Sequence, residues 1–155
     1  MGIFSDLFVK KVYKGEIVSL RENYRTDEKT AYDGIPTAYF DIVRNEDKVK
    51  VGSIDLRSTV EGDMYYYGHV GYNIKKEYRG NHYAYYACKI VFNIAKLEFG
   101  MKELLITCSP ENVASYKTLK KLDGEIIDLV DVPSNHQLYM LGEKKKYVFR
   151  FKIDI

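Results

Sequence analysis

The sequence lacks the features that mark disulfide-rich, secreted and membrane proteins. Its two cysteines, Cys88 and Cys108, lie far apart inside apolar patterns, so no disulfide framework is expected. No apolar run reaches membrane-spanning length, and no basic segment followed by a long apolar stretch opens the chain. A myristoylation site would need a hydroxyl residue where Asp6 stands. We therefore expect a cytoplasmic protein without a membrane or lipid anchor.

An excess of charge of one sign is also missing. Lys and Arg number 24 against 22 Asp and Glu, which leaves a formal net charge of +2. This balance gives no global field that would attract nucleic acid or an anionic membrane. The three histidines, His69, His82 and His136, are scattered and show no metal-ligand spacing, so no metal is expected.

What the sequence does contain is typical of one globular domain over residues 1–155. Apolar residues make up 46% of the chain and charged residues 30%, which is enough to form a core. Tyrosine is abundant, with 15 copies against 7 phenylalanines. The tyrosines indicate either an aromatic binding surface or the codon usage of an AT-rich genome, and composition alone does not separate the two.

Apolar spacing predicts alternating strands and helices. A helix is expected over residues 82–99, where Ala84, Ala87, Cys88, Val91 and Ala95 recur at helical spacing before Gly100. A second helix is expected over about residues 112–123, and a short amphipathic turn over residues 3–9. Residues 21–36 are predicted to form a polar connection, and Gly52 is a candidate β-bulge. Strands are predicted over residues 17–20, 38–43, 49–56, 65–74, 104–108, 126–132 and 147–153.

This order predicts an α/β (α+β) fold with a central mixed, mostly antiparallel sheet and flanking helices. The strands at residues 65–74 and 104–108 are joined by a helix, so they are expected to be locally parallel with a right-handed crossover.

The segment between the strand at 65–74 and its helix has the composition of an anion-binding turn. A helix N-terminus offers unpaired backbone N–H groups and the positive end of the helix dipole, which suit a pyrophosphate. Gly80 permits close backbone approach, Asn81 tolerates a left-handed conformation, and the small Ala84 leaves room for a ligand. An ordinary structural turn is the alternative.

This loop resembles the cofactor loop of the GNAT superfamily of N-acetyltransferases. The family pattern is Arg or Gln, two residues, Gly, one residue, then Gly or Ala. Arg79, Gly80, Asn81, Tyr83 and Ala84 fit that frame, whereas His82 stands where the central glycine is expected. The similarity covers residues 38–132 and is strongest over residues 69–124.

The resemblance implies a single GNAT-like domain with a splayed parallel strand pair and acetyl-CoA as cosubstrate. It further implies that the acetyl group passes to a primary amine of a small molecule, amino acid derivative or peptide, by direct attack in a ternary complex. Tyr72 and Ile74 would contact the pantetheine through their backbones, and residues 79–84 would bind the pyrophosphate. Asn112 would orient the pantetheine arm, although its residue type also favours capping the second helix. A homodimer is compatible with the resemblance.

The catalytic groups are less defined. Many family members carry a tyrosine where this chain has Leu119, so Tyr116, one turn earlier, is the candidate acid for the departing thiolate. His69 is the candidate base because its ordinary pKa lies near neutrality, and its alternative is a half-buried histidine that supports the sheet. Asp55 and Glu77 are further candidate bases.

The acceptor pocket is expected near the tyrosines at residues 65–67, the N-terminal region and the connection at residues 133–142. Two other functions stay open on the sequence alone. His82 and Leu119 depart from the family pattern, which favours a catalytically silent acyl-CoA-binding or regulatory module. The abundant tyrosines and lysines suggest an interaction or RNA-binding module, which lacks any recognised motif.

Overall fold

The chain folds into two antiparallel sheets and three helices in a computed structural model that describes residues 10–31 and 33–154. The turn expected over residues 3–9 lies outside the described residues. The helices are α1 (Tyr83–Phe99), α2 (Val113–Lys121) and α3 (Gln137–Met140), with 3-10 turns at Gly62–Tyr66 and Lys76–Tyr78. The strands are β1 (Val12–Tyr13), β2 (Val18–Arg25), β3 (Thr37–Arg44), β4 (Lys50–Arg57), β5 (Val70–Ile74), β6 (Glu103–Cys108), β7 (Glu125–Asp131) and β8 (Lys145–Lys152).

The strand order places β5 and β6 at facing edges of the two sheets. The first sheet has the order β1-β2-β3-β4-β5 and the second the order β6-β8-β7. The α+β class predicted from the sequence is confirmed, and β5 and β6 are splayed. In the described part of the chain, one isolated antiparallel bridge, from Gly68 just before β5 to Ile106 of β6, joins the two sheets.

The core lies between the five-stranded sheet and α1. Strand alternation sends Ala38, Phe40 and Ile42 of β3 to the buried face, and their neighbours point to the opposite face. The apolar stripe of α1 packs against this surface through Ala87 and Val91, both fully buried. The helix ends at Gly100, whose φ of 64° is left-handed as expected of a helix C-cap.

Three predictions about secondary structure need correction. Strand β2 runs to Arg25 because its polar residues find partners outside the strand. Arg21 pairs with Asp41 of β3 on the outer face, and Arg25 pairs with Glu98 of α1. Tyr65 and Tyr66 belong to the 3-10 turn Gly62–Tyr66, so β5 begins only at Val70. The polar connection after β7 contains α3, which is too short to give a periodic signal.

The bulge expected near Gly52 is present. The register of β3 with β4 shifts between Ile42 and Val43, which pair with Gly52 and Lys50. An added side chain at Gly52 would meet the backbone carbonyl of Asn73, so glycine is needed there for close strand approach.

The two sheets meet at Gly68 and His69. The backbone N–H of His69 donates to the carbonyl oxygen of Leu105 at 2.8 Å. Gly68 has a φ of 73°, and a Cβ there would lie 2.9 Å from the same oxygen. We call this meeting of Gly68 and His69 with Leu105 and Ile106 the apex.

Replacing Gly68 by alanine tests the apex. We expect Gly68→Ala to lower the free energy of unfolding by about 1–3 kcal/mol, because the new methyl group adds a steric clash to an unfavourable φ. Gly62→Ala is the matched control, since Gly62 has a φ of 59° with nothing within 4 Å of its Cβ position. Urea unfolding measures both variants, and equal losses would show that the apex contact is unimportant.

Candidate active site

A cleft opens between β5 and β6 beyond the apex, and the free edge of β5 forms one wall. The N–H of Arg57 donates to the carbonyl of His69 at 2.7 Å, and that of Lys75 to Val51 at 2.9 Å. Since hydrogen bonds alternate along an antiparallel pair, the residues between these two bonds direct their backbone groups alternately toward β4 and away from it. The backbone groups of Tyr72 and Ile74 therefore point into the cleft, where an extended ligand can pair with them.

The loop of residues 79–84 lies at the wide end of the cleft. Gly80 has a φ of 88° and His82 a φ of 61°, so these two residues adopt the left-handed conformation. Asn81 tolerates the left-handed conformation but does not adopt it. Its side-chain Nδ2 donates to the carbonyl of Tyr78 at 3.0 Å and closes the turn. The Nε of Arg79 donates to the carbonyl of Ile74 at 3.0 Å, which ties the loop to β5.

The N-terminus of α1 is open. His82 occupies the N-cap position, but its side chain makes no capping hydrogen bond. The N–H groups of Tyr83, Ala84 and Tyr85 find no acceptor among the described residues; that of Tyr86 donates to His82 at 3.2 Å. These free donors and the helix dipole favour an anion at this position.

A pair of hydroxyl groups joins β5 to the start of α2. The Tyr72 hydroxyl and the Ser115 Oγ lie 2.7 Å apart, and burial raises the pKa of Tyr72. The side-chain oxygen of Asn112 accepts a hydrogen bond from the Ser115 N–H at 3.1 Å. Asn112 therefore caps α2, which is the alternative role expected from its residue type. Sequence reasoning missed Ser115, whose only local signal is its position three residues after the cap.

The candidate acid Tyr116 lies beside this pair. Its ring packs against Tyr147 at 5.6 Å and Phe149 at 5.8 Å between centroids. Within the described part of the chain its hydroxyl has no hydrogen-bond partner. Leu119, at the position where many family members carry a tyrosine, is 0% exposed and belongs to the core. The acid role of Tyr116 stays a prediction.

His69 is part of the apex, and its ring is committed to a hydrogen bond. The N–H of Leu105 donates to its Nδ1 at 2.9 Å, so the neutral ring carries its proton on Nε2. Burial and then the charge of Arg57 lower the pKa of His69 to about 4, against the weaker opposing effect of the Leu105 hydrogen bond. A neutral ring with no free acceptor nitrogen suits the sheet-supporting alternative better than the base role.

The other candidate bases differ in their surroundings. Asp55 on β4 forms an ion pair with Arg57, and its carboxylate is 27% exposed. Burial raises the pKa of Asp55, and the positive charge of Arg57 opposes this rise. Glu77 is exposed on the turn Lys76–Tyr78, and no contact joins it to the apex in the described part of the chain.

Two of the three segments expected to line the acceptor pocket, residues 65–67 and 133–142, contact each other near the apex. The rings of Tyr66 and Tyr67 pack on His136, with centroids 5.1 and 5.2 Å apart. The Tyr67 hydroxyl donates to Gln137 at 2.9 Å. His136 in turn contacts the carbonyl of Asp63 at 2.9 Å. The turn Gly62–Tyr66 and the connection containing α3 thus form one surface beside the cleft.

Comparison with known proteins assigns the family. A family model described as the acetyltransferase (GNAT) domain matches residues 14–125. The chain therefore belongs to the GNAT family and is an acyltransferase by class, as the sequence predicts. A search of curated proteins finds no match.

Solved structures of low sequence identity share the fold. A GNAT-family acetyltransferase from Bacillus anthracis is 14% identical with a TM-score of 0.68, over 94% of this chain and 100% of that chain. A ribosomal-protein-S5-alanine acetyltransferase from Vibrio fischeri is 14% identical with a TM-score of 0.67, over 93% and 97%. RimJ from Mycobacterium smegmatis, in complex with CoA-disulfide, is 16% identical with a TM-score of 0.60, over 77% and 54%.

No helix in the described part of the chain has the length and apolar character needed to cross a membrane. The described residues also contain no group of three His, Cys, Asp or Glu side chains placed to bind a metal ion.

The neutral state of His69 predicts a pH dependence of stability. The folded pKa of about 4 lies below the ordinary value of 6.5, so the unfolded chain binds more protons between these values. Stability from this group is therefore complete above pH 6.5 and is lost as the pH falls toward 4. We expect wild type to lose roughly 1 kcal/mol more than His69→Gln on going from pH 7 to pH 5, allowing for solvent screening.

Urea unfolding at the two pH values checks this expectation. Glutamine keeps an acceptor for the Leu105 N–H but does not titrate, and His82→Gln removes an exposed histidine as the control. Parallel pH profiles of wild type and His69→Gln would contradict the assigned state of His69.

Proposed function

We propose that this protein is an N-acetyltransferase that passes the acetyl group of acetyl-CoA to a primary amine by direct attack in a ternary complex. The observation that carries the proposal is the continuity of the unpaired β5 edge with the open N-terminus of α1. These two features offer consecutive backbone donors and acceptors to an extended ligand that ends in phosphate groups.

The cofactor would lie along this frame. The pyrophosphate would lie on the N–H groups of residues 83–85, with space beside Gly80, where nothing lies within 4 Å of the Cβ position. The pantetheine amides would pair with the backbones of Tyr72 and Ile74. Arg79 keeps its terminal guanidinium nitrogens available for phosphate, since only Nε is bound to Ile74.

Direct transfer is favoured over a covalent enzyme intermediate. Both cysteines are buried, and burial raises the pKa of Cys88 to about 12 and that of Cys108 to about 11. Thiols with such pKa values hold little thiolate near neutrality and are poor nucleophiles. A neutral amine placed beside the thioester carbonyl instead attacks it directly, and positioning supplies much of the acceleration.

The departing thiolate has two candidate proton sources in the cleft. One is Tyr116, as the sequence predicts, and the other is the Tyr72–Ser115 hydroxyl pair. The pair is favoured because it already connects the free-edge strand with α2. Tyr116 has only ring contacts.

A carboxylate placed at the α1 N-terminus tests the cofactor site. We expect His82→Asp to weaken acetyl-CoA binding at least about tenfold, because the new charge repels the pyrophosphate. Aspartate tolerates the left-handed conformation and is a favourable helix N-cap, so the fold should survive. Calorimetric titration with acetyl-CoA gives the affinity.

Asn93→Asp is the matched control, because it adds the same charge to an exposed position further along α1. Equal affinities of His82→Asp and wild type would place the cofactor elsewhere. Absence of acetyl-CoA binding by wild type would remove the whole proposal.

The proton donor is tested by two conservative variants. We expect Ser115→Ala to lower kcat about tenfold or more with little effect on acetyl-CoA affinity, because it removes half of the hydroxyl pair. Tyr116→Phe keeps the ring contacts and should change kcat by less than about threefold. Thiol release from acetyl-CoA, followed in the presence of an amine, measures both. The reverse ranking would assign the acid to Tyr116.

Thiol release also separates the enzyme from a silent acyl-CoA-binding module. A silent module would bind acetyl-CoA and release no CoA with any amine.

The acceptor is proposed to be a small molecule, an amino acid derivative or a peptide. Action in the cytoplasm agrees with the two free, buried cysteines. A homodimer would appear in light scattering as twice the chain mass.

A further inference from the structure

A row of four residues crosses the outer face of the five-stranded sheet and ends at the cleft. In the strand register Tyr24 of β2 is opposite Tyr39 of β3, Tyr39 is opposite Asp55 of β4, and Asp55 is opposite Gly71 of β5. The neighbours of these residues along each strand face α1, so this row lies on the other side of the sheet. We call it the outer row.

Two tyrosines form its distant end. The rings of Tyr24 and Tyr39 are stacked, with centroids 4.4 Å apart and planes 20° from parallel. Tyr24 is 53% exposed although it is a large aromatic residue. Because the two rings stack on each other, the face of Tyr39 turned away from Tyr24 is left for another flat group, and Asp55 is the neighbour on that side.

Asp55 presents a fixed carboxylate at the next position. Its Oδ1 is held by the Nη1 of Arg57. Arg57 is itself fixed, because its Nε donates to the carbonyl of Gly68 at 2.9 Å and its Nη2 to that of Tyr67 at 3.4 Å. Arg57 is thus a positioning residue that orients Asp55 from the apex.

Gly71 leaves the second oxygen of this carboxylate uncovered. A Cβ on Gly71 would lie 3.3 Å from Asp55 Oδ2 and 3.5 Å from Arg57 Nη2, so any side chain here would cover the pair. The Gly71 N–H also donates a hydrogen bond to the Asp55 carboxylate, and within the described residues Oδ2 receives no hydrogen bond from a side chain. The strand that carries this gap also directs the backbone groups of Tyr72 and Ile74 into the cleft, so Oδ2 lies over the strand that borders the cleft.

We propose that the outer row binds the acceptor and selects arylalkylamines, with the amino group on Asp55 Oδ2 above Gly71 and the aromatic ring on the face of Tyr39 turned away from Tyr24. This inference rests on the proposed acetyl transfer and names its substrate class. Neighbouring strands lie about 4.8 Å apart, so Tyr39 and Gly71 are separated by roughly 10 Å. The Tyr39 ring and Asp55 Oδ2 lie within this distance. An aromatic ring joined to nitrogen by a short alkyl chain is long enough to reach from one to the other.

In the same arrangement the Asp55 carboxylate can accept a proton from the amine. The amine binds as its ammonium ion and first releases one proton to solvent. As the neutral nitrogen then forms its bond with the thioester carbon, its second proton passes to the Asp55 carboxylate. The carbon–sulfur bond breaks, and its electron pair leaves with the sulfur as the CoA thiolate. The thiolate takes a proton from the hydroxyl pair, which solvent reprotonates, and the proton on Asp55 returns to solvent. A stacked aromatic surface and a carboxylate together recognise an organic ammonium ion by packing and charge.

Two amines that differ only in the aromatic group test the selectivity. For wild type we expect a kcat/KM for 2-phenylethylamine at least about tenfold higher than for ethylamine. Tyr39→Ser should raise the KM for 2-phenylethylamine about tenfold and leave that for ethylamine unchanged. Tyr39→Phe retains the ring and should keep the wild-type KM.

Asp55→Asn tests the carboxylate. It should lower kcat/KM for both amines at least about tenfold, while Ser53→Ala, in the neighbouring row on the same face of β4, should have no effect. An unchanged affinity for acetyl-CoA in every variant shows that the fold and the cofactor site are intact. If Asp55→Asn loses affinity for acetyl-CoA, Asp55→Glu, which keeps the charge, replaces it as the test. Its ratio of kcat/KM for 2-phenylethylamine to kcat/KM for ethylamine must stay above half of the wild-type ratio.

The outcomes separate the two proposals. Failure of wild type to bind acetyl-CoA removes the proposed function itself. Binding of acetyl-CoA without turnover of either amine, or equal turnover of both, overturns the outer row as the acceptor site. The expected preference, lost in Tyr39→Ser and kept in Tyr39→Phe, supports it.

Discussion

The apex is the contact on which the rest of the site depends. There the backbone N–H of His69 donates to Leu105, and the N–H of Leu105 donates back to the His69 ring. Gly68 makes this approach sterically possible. Because the sheets are tied at one end only, the edges of β5 and β6 diverge beyond it and keep unpaired backbone groups. Free strand edges are usually covered or blocked, so an open pair beside a helix N-terminus is suited to an extended ligand.

The proposed cofactor site is made of backbone groups, and this composition would also explain how little sequence the fold requires. The donors at the start of α1 and the edge of β5 depend on φ and ψ angles and on strand register, rather than on particular side chains. His82 illustrates this, because it adopts the left-handed conformation at a position where the family pattern has glycine. Structures only 14% identical to this chain can therefore share its architecture.

The sequence predicted what depends on local periodicity and missed what depends on distant pairing. The spacing of Ala87, Cys88 and Val91 located α1, and Asn112 marked the start of α2. The state of His69 was not predictable, because its partner Leu105 lies 36 residues away. The Tyr72–Ser115 pair is separated by 43 residues and has no sequence pattern of its own. Polar β2 residues were assigned to a loop because the partner that makes them a strand face was unknown.

Strand β5 contacts the two proposed substrates differently: its backbone groups face acetyl-CoA, and its outer side-chain face borders the amine. Tyr72 and Ile74 contribute backbone groups to the cleft, and these groups persist whatever side chains stand there. Gly71 matters because it has no side chain on the outer face of the sheet, and any substitution would place one against Asp55. Cofactor binding is therefore robust to sequence change, whereas the surface around Asp55 and Tyr39 is set by side chains and free to diverge. This division predicts that Gly71→Val would abolish amine turnover but retain acetyl-CoA binding, measurable by calorimetry and thiol release on the same protein.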